Sequence, residues 1–193
     1  MNRETAKVLF SAESQEWYTP LDFYRKLDDE FHFDIDPCAD PTNRLGCKIF
    51  YTQADDGLAK EWPKGNIFCN PPYGVRGKVH LWVAKCVEHA KSGKGVAVLL
   101  IAARIDTAWF HGYIWQKPNV ELRVLRGRLK FLPSPGSQKH KNSATFPSLV
   151  AIFRPPPSPS PANTTYRIHS TIEPYPQRRS VSLDDFCDGI TII

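Results

Sequence analysis

Asn70-Pro71-Pro72-Tyr73 is the segment of this 193-residue chain whose residue types and order could do chemistry. An aromatic amine is a poor nucleophile because its lone pair is delocalised into the ring. Two acceptors beside such an amine can hold its hydrogens and turn the lone pair towards an electrophile. The Asn70 side-chain oxygen and the Pro71 carbonyl are the two candidate acceptors. Two consecutive prolines fix φ and remove competing backbone donors, which makes a rigid edge. Tyr73 then offers a face on which a base swung out of a nucleic-acid helix can stack. Such stacking is worth ~1–3 kcal/mol, comparable to the few kcal/mol that extrusion costs. The competing reading is a tight turn after a strand.

Four short apolar segments can form the buried strands that position this tetrad: Phe33 to Asp36, Asn66 to Cys69, Gly95 to Ile101 and Leu149 to Phe153. Lys48 to Tyr51 and Val120 to Leu125 are weaker strand candidates. The second strand runs straight into Asn70, at the carboxyl edge where open α/β sheets bind ligands. Helical spacing appears in Leu21 to Glu30, through Phe23, Tyr24 and Leu27, and in His80 to Lys91, which Ser92-Gly93 should stop. Asp106 to Trp115 opens with an acid able to cap a helix. This alternation argues for an α/β class with a mainly parallel sheet covered by helices on both faces.

The length fits one domain with an appendage. Hydrophobic residues are 41% and charged residues 23%, as in ordinary globular proteins. No apolar run approaches the ~20 residues of a membrane span, and Met1-Asn2-Arg3-Glu4 has no signal-peptide core, so no membrane is expected and the expected location is cytoplasmic. The five cysteines form no C-x-x-C pair, so free thiols are expected rather than disulfides or a structural metal. Net charge is +5 and uneven: residues 104–141 carry 8 Lys/Arg against 2 Asp/Glu, while the rest is near balance. That block suggests contact with a polyanion, or else a solvated face. Pro155 to Pro161 cannot be helix or strand interior and reads as a linker between a domain at 1–154 and an extension at 162–193.

The chain resembles the phage and prophage DNA N-6-adenine methyltransferases, the Dam-type enzymes. The resemblance rests on Glu16-Trp17-Tyr18-Thr19-Pro20, Phe33 to Ala39 (FDIDPCA), Asp56-Gly57-Leu58 with Trp62, and Phe68 to Tyr73 (FCNPPY). It continues through Ala103 to Thr107 (ARIDT), Gly127 to Phe131 (GRLKF) and Pro147-Ser148, and covers roughly residues 14–153. It implies a Rossmann-like S-adenosylmethionine-dependent methyltransferase fold, double-stranded DNA as partner, no metal, and adenine N6 as the methyl acceptor. GATC-like recognition follows from the family name alone.

In amino methyltransferases an acid-Pro element after the first strand contacts S-adenosylmethionine, and a Thr-Pro element lies close by. Asp36-Pro37-Cys38-Ala39 and Tyr18-Thr19-Pro20 match those elements. A strand-end acid can bind the cofactor's ammonium or ribose. Alone, Asp36 also reads as a helix cap and Thr19-Pro20 as a helix start. Two departures stand out. No G-x-G turn follows Asp36, and only Cys38 to Asn66 separates the first strand from the tetrad's strand. The N-terminal half is therefore expected to be compressed, with one strand short or absent. Asp55, Asp56 and Asn43 are the candidates for the ribose, with solvated turn residues as the alternative.

On the DNA side, Arg123, Arg126, Arg128 and Lys130 cluster over eight positions, followed by Lys139 and Lys141. Phe131 resembles the aromatic lining a target-base pocket, with a core phenylalanine as the other reading. The stretch between Phe131 and Phe146 reads as a loop that orders on DNA, and Gly74 to Lys78 as one that closes over the base. Pro37-Cys38 copies the nucleophilic pair of cytosine-C5 enzymes, but it follows the first strand and no Glu-Asn-Val element exists, so that chemistry is rejected. Cytosine-N4 methylation, glutamine methylation in protein, and a DNA-binding module with an inactive site stay open from the residues alone.

Overall fold

The computed structural model describes residues 17–73, 78–132 and 146–157. Six strands form one sheet: β1 (Ile35–Asp36), β2 (Ile49–Phe50), β3 (Ile67–Cys69), β4 (Ala97–Ala102), β5 (Val120–Val124) and β6 (Ser148–Phe153). Among the described residues three helices accompany them, α1 (Leu21–Phe31), α2 (Val79–Lys91) and α3 (Ala108–Tyr113). The strand order is β2-β1-β3-β4-β6-β5.

Strands β2, β1, β3 and β4 pair in parallel, whereas β6 is antiparallel to both β4 and β5. The sheet is thus mixed: β6 alone runs against the other five strands, so the mainly parallel sheet that the strand–helix alternation suggested carries one reversed strand. A continuous apolar run reports burial on both faces, not direction. Leu149 to Phe153 reads the same either way.

The two-residue period of the strands divides the core between the faces. Val98, Leu100, Val150 and Ile152 pack with Tyr24, Leu27 and Phe31 of α1. Leu99, Ile101, Leu149 and Ala151 pack with Trp82, Val83 and Cys86 of α2 and Phe110 of α3. Helices therefore cover both faces. Each buried Leu, Ile or Phe contributes roughly 1.5–3 kcal/mol.

Helix α2 stops as its sequence requires: Gly93 takes φ +71°, and Gly93 and Lys94 return backbone hydrogen bonds to Ala90 and His89. Helix α3 is shorter than the Asp106–Trp115 expectation. Thr107 stands at its N-cap without a side-chain cap, and the Asp106 carboxylate turns back to Arg104 instead. Pro155 to Pro157 are neither helix nor strand.

Between β1 and β3 the described chain holds only the two-residue β2 and a series of turns. Side chains take the place of a packed helix. Lys85 of α2 donates to the Leu58 carbonyl at 2.6 Å, and the Trp62 indole donates to the Gly57 carbonyl at 2.9 Å. Asn66 donates to the Phe31 carbonyl at 2.7 Å and accepts from the Val96 amide at 3.0 Å, tying α1 and β4 to the start of β3. No described helix is long and apolar enough to cross a membrane.

Candidate active site

The chain leaves β1 for β2 on one side and returns to β3 on the other, so strand order reverses between β1 and β3. Open α/β sheets place ligands in the crevice at such a reversal. Asp36 ends β1 and Asn70 follows β3, which brings the expected acid and the expected tetrad to one crevice. Cys38 Sγ lies 3.7 Å from Cys69 Sγ, so the two strand ends touch directly.

The Asn70 side chain has a fixed orientation. Its Nδ2 donates to the Trp17 carbonyl at 2.6 Å and to Thr19 Oγ1 at 3.0 Å. A carbonyl can only accept, so the atom facing Trp17 must be the NH2 group. Asn70 Oδ1 is buried and has no hydrogen-bond partner among the described residues. Such an atom ordinarily costs about 1–3 kcal/mol. An acceptor is thereby held ready for a donor that the described residues do not supply.

Pro71 is buried and Pro72 exposed. The Tyr73 hydroxyl donates to the Leu100 carbonyl at 3.1 Å, and burial pushes its phenol well above the ordinary value. Its ring packs 5.2 Å from Phe146 and 6.4 Å from Phe131. Trp17 meets Phe131 and Phe146 edge-on at 5.6 and 5.3 Å. Phe131 is 3% exposed, so it is a core residue that also borders the tetrad. Trp17 and Phe146 were not singled out as site residues. The Trp17-Tyr18-Thr19-Pro20 match offered a signal for the first, and nothing in the sequence pointed to the second.

Asp36 is 4% exposed, and among the described residues no basic side chain pairs with it. Burial raises its carboxyl to about 7, against the pull of a 2.9 Å hydrogen bond from the Cys38 amide. Pro37 and Ala39 are buried beside it, and the Ala39 amide is held by the Tyr51 carbonyl. The Pro37 carbonyl leans on Gly57 so closely that a Cβ there would come within 2.1 Å of it. That contact explains the glycine of the Asp56-Gly57-Leu58 match. Burial also raises the Cys38 thiol, which makes it a poor nucleophile and agrees with rejecting cytosine-C5 chemistry.

The three ribose candidates separate. Asp55 is exposed and spent on a turn, accepting from the Thr52 amide at 2.9 Å and hydroxyl at 2.7 Å, bonds that lower its carboxyl. Asp56 is exposed, at φ +53°, and accepts from the Leu58 amide. Asn43, at φ +47°, donates to the Cys47 carbonyl at 3.0 Å and keeps a buried Oδ1 that, like that of Asn70, has no partner among the described residues. The Tyr18 carbonyl accepts from the Leu132 amide at 2.8 Å, and the Arg44 guanidinium lies 4.7 Å over the Tyr18 ring. Thr19 and Pro20 are buried, with Pro20 at the N-cap of α1. Thr19 therefore precedes the N-cap of α1, and its hydroxyl faces Asn70.

The basic cluster does not act as one patch. Arg123 is spent internally: both guanidinium ends meet Glu30 at 2.6 Å, and Nε meets Glu121 at 2.6 Å. Arg154 completes the network on Glu121 at 2.7 Å. Arg123 is thus withdrawn as a phosphate ligand, because its charge and donors are already matched. Arg126, Arg128 and Lys130 are exposed. Arg128 and Lys130 line a shallow depression of about 300 Å³ with Lys26 and Asp22 of α1. Lys139, Lys141 and residues 74–77 lie outside the described residues. Among the described residues no group of three or more His, Cys, Asp or Glu could hold a metal ion.

An α/β sheet with an acceptor-rich crevice where its strand order reverses has the plan of a ligand-binding α/β enzyme. A family model for DNA N-6-adenine-methyltransferase (Dam) matches residues 7–173, most of the chain. The chain belongs to that family, and it is an adenine-specific DNA methyltransferase. The match extends past Arg154, where the resemblance drawn from motifs ended. No curated protein matches the chain.

Proposed function

We propose that the chain moves a methyl group from S-adenosylmethionine to the N6 amine of an adenine extruded from double-stranded DNA, by direct displacement. The observation that carries this reading is Asn70 Oδ1, buried and unpartnered among the described residues while its amide nitrogen is anchored twice. The sheet is read as a shortened Rossmann-like methyltransferase sheet, and the order reversal between β1 and β3 supports that reading.

The chemistry of the crevice fits the cofactor. Among the described residues Asp36 is a buried carboxylate without a cation, and Asn43 Oδ1, in the loop after β1, is a buried acceptor without a donor. A ligand with an ammonium group and ribose hydroxyls answers both needs. Asp36, the backbone of Pro37 to Ala39, and Asn43 are assigned to hold it, and Asp55 and Asp56 have no role there. When bound, S-adenosylmethionine supplies an electrophilic methyl group on a sulfonium.

Asn70 Oδ1 and the Pro71 carbonyl accept the two amine hydrogens and turn the nitrogen lone pair out of conjugation. With a methyl group supplied to that nitrogen, the surplus amine proton would leave past Asn70 Oδ1 and the Pro71 carbonyl to water. Stacking of the base on Tyr73 requires Phe146, now 5.2 Å from that ring, to give way. Arg126, Arg128, Lys130 and Lys26 are assigned to backbone phosphates. Removing one oriented acceptor costs on the order of 10² to 10³ in rate, by analogy with oxyanion-hole donors.

The test combines titration calorimetry with S-adenosylmethionine and a methyl-transfer assay on DNA. The wild-type chain should bind the cofactor, and Asn70→Ala should keep that affinity within a few-fold while losing 10² to 10³ in rate. An Asn70→Ala chain with wild-type transfer, or a wild-type chain that does not bind the cofactor, would contradict the proposal.

A further inference from the structure

Thr19 lies 51 residues from Asn70 in sequence, yet its Oγ1 is 3.0 Å from Asn70 Nδ2. Thr19 is 4% exposed and does not cap α1, whose N-cap is Pro20. The hydroxyl therefore has no use as a helix start signal. We infer that Thr19, together with the Trp17 carbonyl, is a positioning element of the transfer reaction: it locks the Asn70 amide so that Oδ1, and not Nδ2, meets the target amine. This rests on the acceptor role proposed for Asn70 and assigns Thr19 to that residue instead of to the cofactor.

An amide can present either end, and the wrong end would set NH2 against NH2. The Trp17 carbonyl excludes that flip because it accepts only, at 2.6 Å. Thr19 Oγ1 takes the second amide hydrogen, which would otherwise be buried without a partner. With both hydrogens engaged, the amide is polarised towards Oδ1, the atom left open. The clamp is itself anchored, since the Tyr18 carbonyl between its two members accepts from the Leu132 amide at 2.8 Å.

The clamp also makes position 70 specific for an amide. A carboxylate there would turn one oxygen on the Trp17 carbonyl with no hydrogen between them. A protonated carboxyl could donate to that carbonyl and keep its other oxygen as acceptor. The Asn70→Asp chain should therefore regain activity as pH falls.

The experiment measures steady-state methyl transfer on unmethylated DNA, with cofactor dissociation constants determined separately by calorimetry. Thr19→Val should lower kcat roughly tenfold or more, the scale of one unsatisfied buried donor, with DNA KM and cofactor affinity within about threefold. Thr19→Ser, which restores the oxygen, should return kcat to within a few-fold of wild type. Asn70→Asp, at saturating cofactor, should show a rate relative to wild type that rises from pH 8 to pH 6. An unchanged kcat in Thr19→Val would overturn the inference, as would a loss confined to cofactor affinity. A pH-independent ratio for Asn70→Asp would overturn it even if Thr19→Val does not fold. Failure of the wild-type chain to transfer methyl would instead overturn the role of Asn70 itself.

Discussion

Polar side chains crowd two regions of this sheet, the carboxyl ends of β1 and β3 and the β5–β6 edge, and they are satisfied very differently. At the β5–β6 edge Arg123, Glu30, Glu121 and Arg154 meet one another at 2.6–2.7 Å, and their shifts agree: both acids are lowered and Arg123 is raised. At the strand ends, among the described residues, Asp36 lacks a cation and Asn70 keeps a buried oxygen without a donor, as does Asn43 in the loop after β1. The edge network closes on itself, whereas the strand ends are short of donors. A folded chain tolerates such a deficit where a ligand completes it. Unmet hydrogen-bond capacity thus separates the two regions more sharply than charge does.

Asp36 gives the largest way to test that contrast here. Its carboxyl sits at about 7 in the folded chain, above its unfolded value, so the native state holds a proton that the unfolded state releases between pH ~4 and ~7. Stability should therefore fall as pH rises through that window and stay lower above it. Asp36→Asn should weaken cofactor binding tenfold or more at pH 8, a loss of about 1.4 kcal/mol, yet melt higher than wild type at that pH. The gap in melting temperature should close towards pH 4. Cofactor affinity of the wild type should climb as pH rises from 6 to 8. Calorimetry and thermal melts across pH check both trends, and a pH-independent affinity would place the cofactor away from Asp36.

A smaller effect is expected on the DNA side. Replacing both Arg126 and Arg128 by Ala should weaken DNA binding and reduce the slope of log K against log salt by about 1–2. Fluorescence titrations at several salt concentrations measure this, and an unchanged slope would move the DNA surface elsewhere. The smallest effect belongs to the closed edge. Arg123→Ala should cost about 1 kcal/mol of stability in denaturant melts and leave the salt slope alone. A flattened slope in Arg123→Ala would erase the distinction between the two regions.

The parts legible in the sequence were those encoded by local pattern. Gly95 to Ile101 and Leu149 to Phe153 are apolar enough to reveal strands, and Ser92-Gly93 marks the end of α2. The short Cys38–Asn66 span revealed the compressed half. The tetrad and Asp36-Pro37 could be placed because each lies at the carboxyl end of a strand. What escaped depends on partners far away in the chain. Arg123 looks basic in its own neighbourhood, yet its main partner, Glu30, lies 93 positions earlier. Thr19 was read beside Pro20, while its partner, Asn70, lies 51 positions later. The antiparallel sense of β6 depends on how the chain returns from β5, which its own residues do not encode.

The central claim is most directly tested by incubating unmodified double-stranded DNA with the full chain and methyl-labelled S-adenosylmethionine, then digesting the DNA to nucleosides. Label should appear in N6-methyldeoxyadenosine with the wild-type chain and be almost absent with Asn70→Ala. Label in N4-methyldeoxycytidine, or equal label from Asn70→Ala, would contradict the claim.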